Sequence, residues 1–262
     1  MVAFLWLYKS FNQEPDITYI RLDGLQKIEV SSSEYPYFTY SITNGHATFF
    51  KEKSLLYKTV SATTDISSYD HYSFTFIYGD QQQVLLYYTL TLNELSTREH
   101  QLVEPSTNCK EGLLNLIAAY RQEIRKTYGA LLVWEDVDRI FPMYATAKIT
   151  DIYSGESFHV QRREGNTHVD AQPLTAEDTA IMKKIYGGQW SWDRKGIIVE
   201  VGGSRIAASM HGMPHGGGKL DDNSFPGHFC IHFLGSIIHG GGMDIRHHRE
   251  ILKAAGKLPI TH

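Results

Sequence analysis

Residues 224–233 bring together side chains suited to nucleophilic, proton-transfer or metal chemistry. If the chain is extended from His228 onwards, alternate side chains lie on opposite faces of a strand. One face then carries His228, Cys230 and His232. The other face carries three bulky apolar residues: Phe229, Ile231 and Phe233. A lone cysteine usually packs as a small buried hydrophobe, but a thiol between two imidazoles suits a nucleophile or a metal ligand. The pattern therefore predicts a functional strand with an apolar anchor.

Histidine and glycine are both concentrated around this strand. Seven of the 13 histidines lie between positions 211 and 248, among short runs of glycine. Glycine allows sharp turns and a close approach of backbone to a ligand. The segment therefore predicts a site built from loops around a strand-borne cysteine, with solvent-exposed histidines on flexible loops as the alternative.

The order and spacing of His211-Gly212 and Gly227-His228-Phe229-Cys230-Ile231 resemble the signature of the L,D-transpeptidase catalytic domain. That family has a His, a spacer of similar length, and then Ser/Thr-His-Gly-Cys; the resemblance covers residues 211–232. It implies that Cys230 is a nucleophile for peptidoglycan stem peptides, with His211 as its base and His228 supporting the thiolate. A neighbouring histidine is expected to lower the pKa of the thiol.

The resemblance also implies a fold, a location and a substrate-binding set. The expected fold class is α+β, mainly β, with a β-rich N-terminal domain followed by an L,D-transpeptidase-like β-sandwich with short helices. A bacterial protein of this kind works on the cell wall, outside the cytoplasm, with peptidoglycan as partner and without a cofactor. The implied substrate-binding residues are Gly212, Gly227, His232, His168 and Asp170. The chain departs from the signature at Gly227, where the family has Ser or Thr, and at Phe229, where it has Gly.

A zinc site is the alternative interpretation of the same residues. His168-Val-Asp170 offers an imidazole and a carboxylate in a loop, and the histidines and Cys230 of residues 211–239 could complete three or four ligands. The Pro214 between His211 and His215 argues against a helical pair. The alternative ligands are His168, Asp170, His215 and His232. The alternative functions are a zinc-dependent hydrolase and a non-catalytic domain that binds cell wall.

The elements around these residues predict two domains, 1–139 and 140–262. Strands are expected in the first domain at 38–42, 72–77 and 84–90, with a helix from 109 to 128 at its end. The second domain is expected to hold strands at 145–152, 157–160 and 196–201. Its helices should begin after a capping box at Thr175-Ala-Glu-Asp178 and at Asp244.

Composition excludes several classes of protein. The 262 residues carry a net charge of −4, so no basic surface indicates a nucleic-acid partner. The two cysteines rule out a disulfide framework within the chain. No apolar stretch is long enough for a transmembrane helix. The apolar start, Met1-Val-Ala-Phe-Leu-Trp-Leu7, lacks a basic region and is not a complete signal peptide.

Overall fold

A computed structural model of the protein describes residues 17–22, 24–43, 49–50, 54–63, 66–79, 82–218 and 220–260. The apolar start at residues 1–7 lies outside the described residues. The chain forms two compact units, Met1–Glu123 and Ile124–His262. Among the described residues, no helix combines the length and apolar character needed to cross a membrane.

The boundary between the two units follows Glu123, which is earlier in the chain than the predicted boundary between 139 and 140. The reason is that residues 129–141 pack against strands of the second unit. The Ala130 N–H donates to Arg205 O at 2.8 Å, and the Trp134 N–H donates to Leu234 O at 2.8 Å. Trp134 and Phe141 are buried in the core of that unit.

The first unit holds an eight-stranded antiparallel sheet in the order β1-β4-β8-β7-β6-β5-β2-β3. Its strands are β1 Ile17–Arg21, β2 Leu25–Ser32, β3 Tyr40–Ile42, β4 Ser54–Thr63, β5 His71–Tyr78, β6 Gln83–Thr89, β7 Glu94–Thr97 and β8 Gln101–Pro105. In β5, burial alternates between neighbouring residues, as expected of a strand with one covered face. The helix α1, Thr107–Thr127, follows the sheet, and its Tyr120 packs edge-to-face on Phe38 and Tyr72.

The second unit is a closed barrel of six antiparallel strands in the order β10-β11-β14-β13-β12-β9. The strands are β9 Thr146–Asp151, β10 Ser157–Glu164, β11 Val169–Pro173, β12 Arg194–Val201, β13 Ser204–His211 and β14 Phe229–His232. The helices are α2 Trp134–Ile140, α3 Ala176–Ile185 and α4 Ile245–Ala254. The expectation of an α+β chain in which β structure predominates is confirmed. Where a β-sandwich is expected, the strands close into a barrel, because β14 pairs with both β11 and β13 and β9 pairs with both β10 and β12.

Both predicted helix starts in the second unit are confirmed. The Thr175 side chain accepts from the Asp178 N–H, and the Asp178 side chain accepts from the Thr175 N–H, which completes the capping box of α3. Asp244 caps α4 by accepting from the N–H groups of Arg246 and His247.

Thr175→Ala should lower the free energy of unfolding by about 1 kcal/mol, because it removes one side of the capping box. Urea unfolding of the full chain followed by tryptophan fluorescence measures this, since three of the four tryptophans lie in the second unit. Thr146→Ala, at an exposed position of β9, serves as the control and should change stability by only a few tenths of a kcal/mol. Equal effects of the two substitutions would contradict the role of the cap.

Candidate metal centre

Three neighbouring strands, β11, β14 and β13, carry the reactive side chains on one face. Asp170 lies directly opposite Cys230 in the pairing of β11 with β14, and Ser209 lies opposite His232 in the pairing of β14 with β13. Side chains between these positions point to the other face and join the apolar core: Val169, Ala171, Ala208, Met210, Phe229 and Ile231. The predicted alternation along residues 228–233 is therefore confirmed, whereas the predicted loop around Asp170 is wrong because Asp170 lies within β11.

Cys230 lies at the centre of a cluster of metal-binding atoms. Its Sγ is 3.4 Å from His215 Nε2, 3.5 Å from His239 Nε2 and 3.5 Å from Asp170 Oδ1. Asp170 Oδ1 is 3.1 Å from His168 Nε2 and 3.5 Å from His239 Nε2. The two imidazole nitrogens of His168 and His239 are 3.3 Å apart. Six donor residues, these five and His228, thus face one small volume.

The donors form two overlapping groups, each with all its ligand atoms within 4.8 Å of one another. The first donor group is His168, Asp170, Cys230 and His239, and the second is His215, His228, Cys230 and His239. Five of the six separations in the first group are between 3.1 and 3.5 Å. A tetrahedral zinc site with bonds of about 2.0–2.3 Å places its ligands about 3.3–3.8 Å apart. The first group therefore has the dimensions of a four-ligand zinc site.

Three of the histidines are oriented by backbone carbonyls. The Nδ1 atom of His168 is 2.7 Å from Ile237 O, that of His215 is 3.1 Å from Met213 O, and that of His228 is 3.0 Å from Gly217 O. A carbonyl only accepts, so each Nδ1 carries the proton and donates it. In the neutral ring Nε2 then holds a lone pair directed at the cluster. This arrangement is the usual one around metal-ligating histidine.

His215 and His228 are held as a pair by their own backbones. The N–H of each donates to the carbonyl oxygen of the other, at 2.9 and 2.8 Å, and their ring centroids are 4.4 Å apart. His228 Nε2 is 3.6 Å from Asp170 Oδ1. Among the residues that the structure describes, this buried nitrogen has no hydrogen-bond partner. An unsatisfied buried polar atom needs an explanation, and a cation would supply one.

The cluster keeps Cys230 protonated when no cation is bound. Burial raises the pKa of the Cys230 thiol well above its usual range, and the Asp170 carboxylate raises it further. The expected lowering of this pKa by neighbouring histidines is therefore wrong for the metal-free chain. Burial would also raise the pKa of Asp170, but the hydrogen bond with His168 and the positive charge of nearby histidines lower it. A carboxylate beside a thiol disfavours a free thiolate, whereas a cation stabilises both anions.

A second layer of histidine surrounds the donors. His232 stacks on His168, with centroids 4.7 Å apart, and on His247 of α4, with centroids 4.0 Å apart. The Nδ1 atom of His247 is 2.9 Å from the Ser209 hydroxyl. Burial lowers the pKa of His232 to about 3, so the His232 ring is uncharged near neutral pH. His232, an alternative ligand in the sequence interpretation, belongs to neither donor group because its ring lies against His168.

His211 lies at the end of β13, next to the cluster. Its Nδ1 accepts a hydrogen bond from the Met213 N–H at 3.3 Å, and its ring centroid is 5.1 Å from that of His215. Burial lowers the pKa of His211 to about 2. The Nε2 atom of His215, which lies next to His211, is 3.4 Å from Cys230 Sγ. The role of His211 as a base stays a prediction.

Two cavities open onto the centre. One, of about 200 Å³, is lined by Trp192, Arg194, His211, His215, Cys230 and His239, among others. The other, of about 700 Å³, is lined by residues that include Met143, Asn166, Thr167, His168, Asp170 and His239. The His239 side chain is 55% exposed. The two cavities therefore give water or a substrate access to the donor atoms from two sides.

Gly212 and Gly227 have backbone roles at the edge of the centre. A Cβ at Gly212 would lie 2.4 Å from the Tyr186 ring, and one at Gly227 would lie 2.5 Å from His215 O. Their predicted contact with substrate stays a prediction.

The sequence predicts site roles for His168, Asp170, His215, His228 and Cys230, and the structure brings these five residues together. Sequence reasoning assigned no role to His247 or Arg194, for which the sequence has no motif.

Comparison of the chain with protein-family models, with curated proteins and with solved structures finds no match in any of the three.

Proposed function

We propose that the second unit is a metal-dependent hydrolase whose centre takes a zinc-type divalent cation. The observation that carries the proposal is the first donor group, His168, Asp170, Cys230 and His239, at tetrahedral separations. Mixed imidazole, carboxylate and thiolate ligation suits zinc. The carbonyl that fixes the proton on His168 Nδ1 supports the same assignment.

A divalent cation held by these four donors would take water or a substrate carbonyl as a fifth ligand, and it would there lower the pKa of the water or polarise the carbonyl. The residues of the chain would hold it, orient the substrate and shape its approach. Trp192 is 48% exposed and lies over the His211 and His215 rings, with centroids 4.7 and 5.2 Å away. It gives the smaller cavity an aromatic wall against which a substrate can pack.

The proposed substrate is the stem peptide of peptidoglycan, through the resemblance of residues 211–232 to the L,D-transpeptidase signature. Hydrolysis adds water across a peptide bond: the hydroxyl goes to the carbonyl carbon, the C–N bond breaks and the amine leaves with a proton. The same resemblance supports a location outside the cytoplasm, as part of this proposal.

Cysteine-dependent acyl transfer is the second candidate, favoured by the 3.4 Å contact between Cys230 Sγ and His215 Nε2. In that reaction His215 takes the thiol proton, sulfur bonds to the carbonyl carbon, and the amine leaves with the proton as the C–N bond breaks. Water or a second amine then cleaves the thioester. Asp170 beside the sulfur works against this reaction, because it raises the pKa of the thiol.

Chelation separates the two candidates. Purified full-length protein should contain bound zinc, lose hydrolysis of muropeptide substrates on dialysis against a chelator, and recover it with added Zn²⁺. Elemental analysis and product chromatography on the same samples measure metal and activity together. Full activity in metal-free protein, with an acyl adduct on Cys230 found by mass spectrometry, would overturn the proposal and establish acyl transfer instead.

A further inference from the structure

We infer that the centre binds two divalent cations, bridged by Cys230 and Asp170. The inference rests on the metal centre of the proposed function and extends it. The chain directs six donor residues at one volume, whereas a single tetrahedral zinc takes four ligands. Neither donor group alone uses all six.

The histidines form two pairs around Cys230 and Asp170. In the first pair, His168 Nε2 and His239 Nε2 are 3.3 Å apart. In the second pair, His215 Nε2 is 3.4 Å from Cys230 Sγ, and His228 Nε2 is 3.6 Å from Asp170 Oδ1. These separations again match the edges of a tetrahedron with bonds of about 2.0–2.3 Å. The ligand atom of His239 also lies within 4.8 Å of those of the second pair.

The chemistry of the donors decides which residues are shared. An imidazole whose Nδ1 donates to a carbonyl has one lone pair, so each histidine serves one cation. A thiolate and a carboxylate have lone pairs enough for two. Cys230 Sγ and Asp170 Oδ1 are 3.5 Å apart, and each contacts one or more histidines of both pairs. Each cation would thus have two histidines of its own and share one thiolate and one carboxylate.

The backbone fixes the positions of His215 and His228. Besides the reciprocal backbone hydrogen bonds, the surrounding loop leaves no room for side chains at two glycines. A Cβ at Gly216 would lie 2.3 Å from His228 Cε1, and one at Gly218 would lie 3.0 Å from Gly227 O. The backbone therefore packs closely around the two imidazoles and holds both Nε2 atoms toward the centre.

The charge of the centre also changes with a second cation. One dication is neutralised by the Cys230 thiolate and the Asp170 carboxylate, whereas two dications leave a surplus of two positive charges. Such a centre favours a substrate oxygen on which negative charge develops during reaction, and two metals about 3.5–4 Å apart are a known arrangement for this. The substrate class that fits is an amide or ester carbonyl rather than a cationic group.

Metal stoichiometry tests the inference. Full-length protein saturated with Zn²⁺ and desalted should hold two zinc ions per chain by elemental analysis. His215→Ala should hold one, through the first donor group, and His168→Ala should also lose one. The control His248→Ala removes an imidazole that lies on α4 outside both donor groups, and it should keep two.

Cobalt provides a second measurement that does not depend on activity. Titration of the metal-free protein with Co²⁺ should raise the thiolate-to-metal absorption until two equivalents are bound, and electron paramagnetic resonance should show coupled cobalt ions. If His215→Ala misfolds by circular dichroism, His215→Gln replaces it. One ion per chain in the native protein, unchanged by substitution of His215, would overturn the second site and leave the proposed function standing. No bound ion at all would overturn both.

Discussion

Cys230→Ala should purify without bound metal and should hydrolyse no muropeptide. Cys230 and His239 are the donors common to both groups, and the Cys230 sulfur, unlike an imidazole nitrogen, has lone pairs enough for two cations. Loss of a partner in the outer shell of a metal site costs about 10–100-fold in affinity or activity, and loss of a shared ligand should cost more. Elemental analysis and product chromatography measure both losses.

Thermal unfolding gives the same experiment a readout independent of substrate. A cation that binds only the folded state raises its stability, so added Zn²⁺ should raise the Tm of the native protein and leave that of Cys230→Ala unchanged. The matched control is Cys109→Ala. Cys109 is the other free cysteine, fully buried in α1, so this variant should lose some stability but keep its metal. A Cys230→Ala protein that binds zinc with native affinity would contradict the proposed centre.

The local features of the fold could be predicted because each depends on neighbours in the sequence. The capping box at Thr175 is complete within four residues, and the alternation from Phe229 to Phe233 follows from the pleat of a strand. The barrel closure could not be predicted this way, because it depends on the pairing of β14 with β11 and of β12 with β9, which are distant from each other in the sequence.

The centre was only partly accessible to sequence reasoning for the same reason. Asp170 and Cys230 are 60 positions apart in the chain and meet only through the register of β11 with β14. His239 reaches them from a loop that is tied to Thr167 by a hydrogen bond from the Thr167 hydroxyl to Ile237 O. The L,D-transpeptidase spacing selects His211, whereas the turn after β13 brings His215 to the sulfur. A spacing pattern does not specify the direction of a side chain beyond the end of a strand.

Gly227→Ser should abolish metal binding at the His215–His228 side, although serine is the residue that the L,D-transpeptidase signature has there. Gly227 has φ +117°, a backbone conformation that L residues rarely adopt. A Cβ would lie 2.5 Å from His215 O and 3.0 Å from Gly216 O. Both atoms are backbone, so relief of the clash must move the strand entry and break the reciprocal hydrogen bonds between His215 and His228. We expect a cost of about 1–3 kcal/mol and the loss of at least one zinc ion per chain.

Gly217→Ser is the matched control for this substitution. Gly217 lies in the same loop, and a Cβ there would meet nothing within 4 Å. Its carbonyl oxygen, which accepts from His228 Nδ1 at 3.0 Å, is retained in the variant. Gly217→Ser should therefore keep its zinc content, its Tm and its activity close to those of the native protein. Equal metal content in the two variants would show that the loop tolerates a side chain at Gly227, and that the departure from the signature has no steric cause.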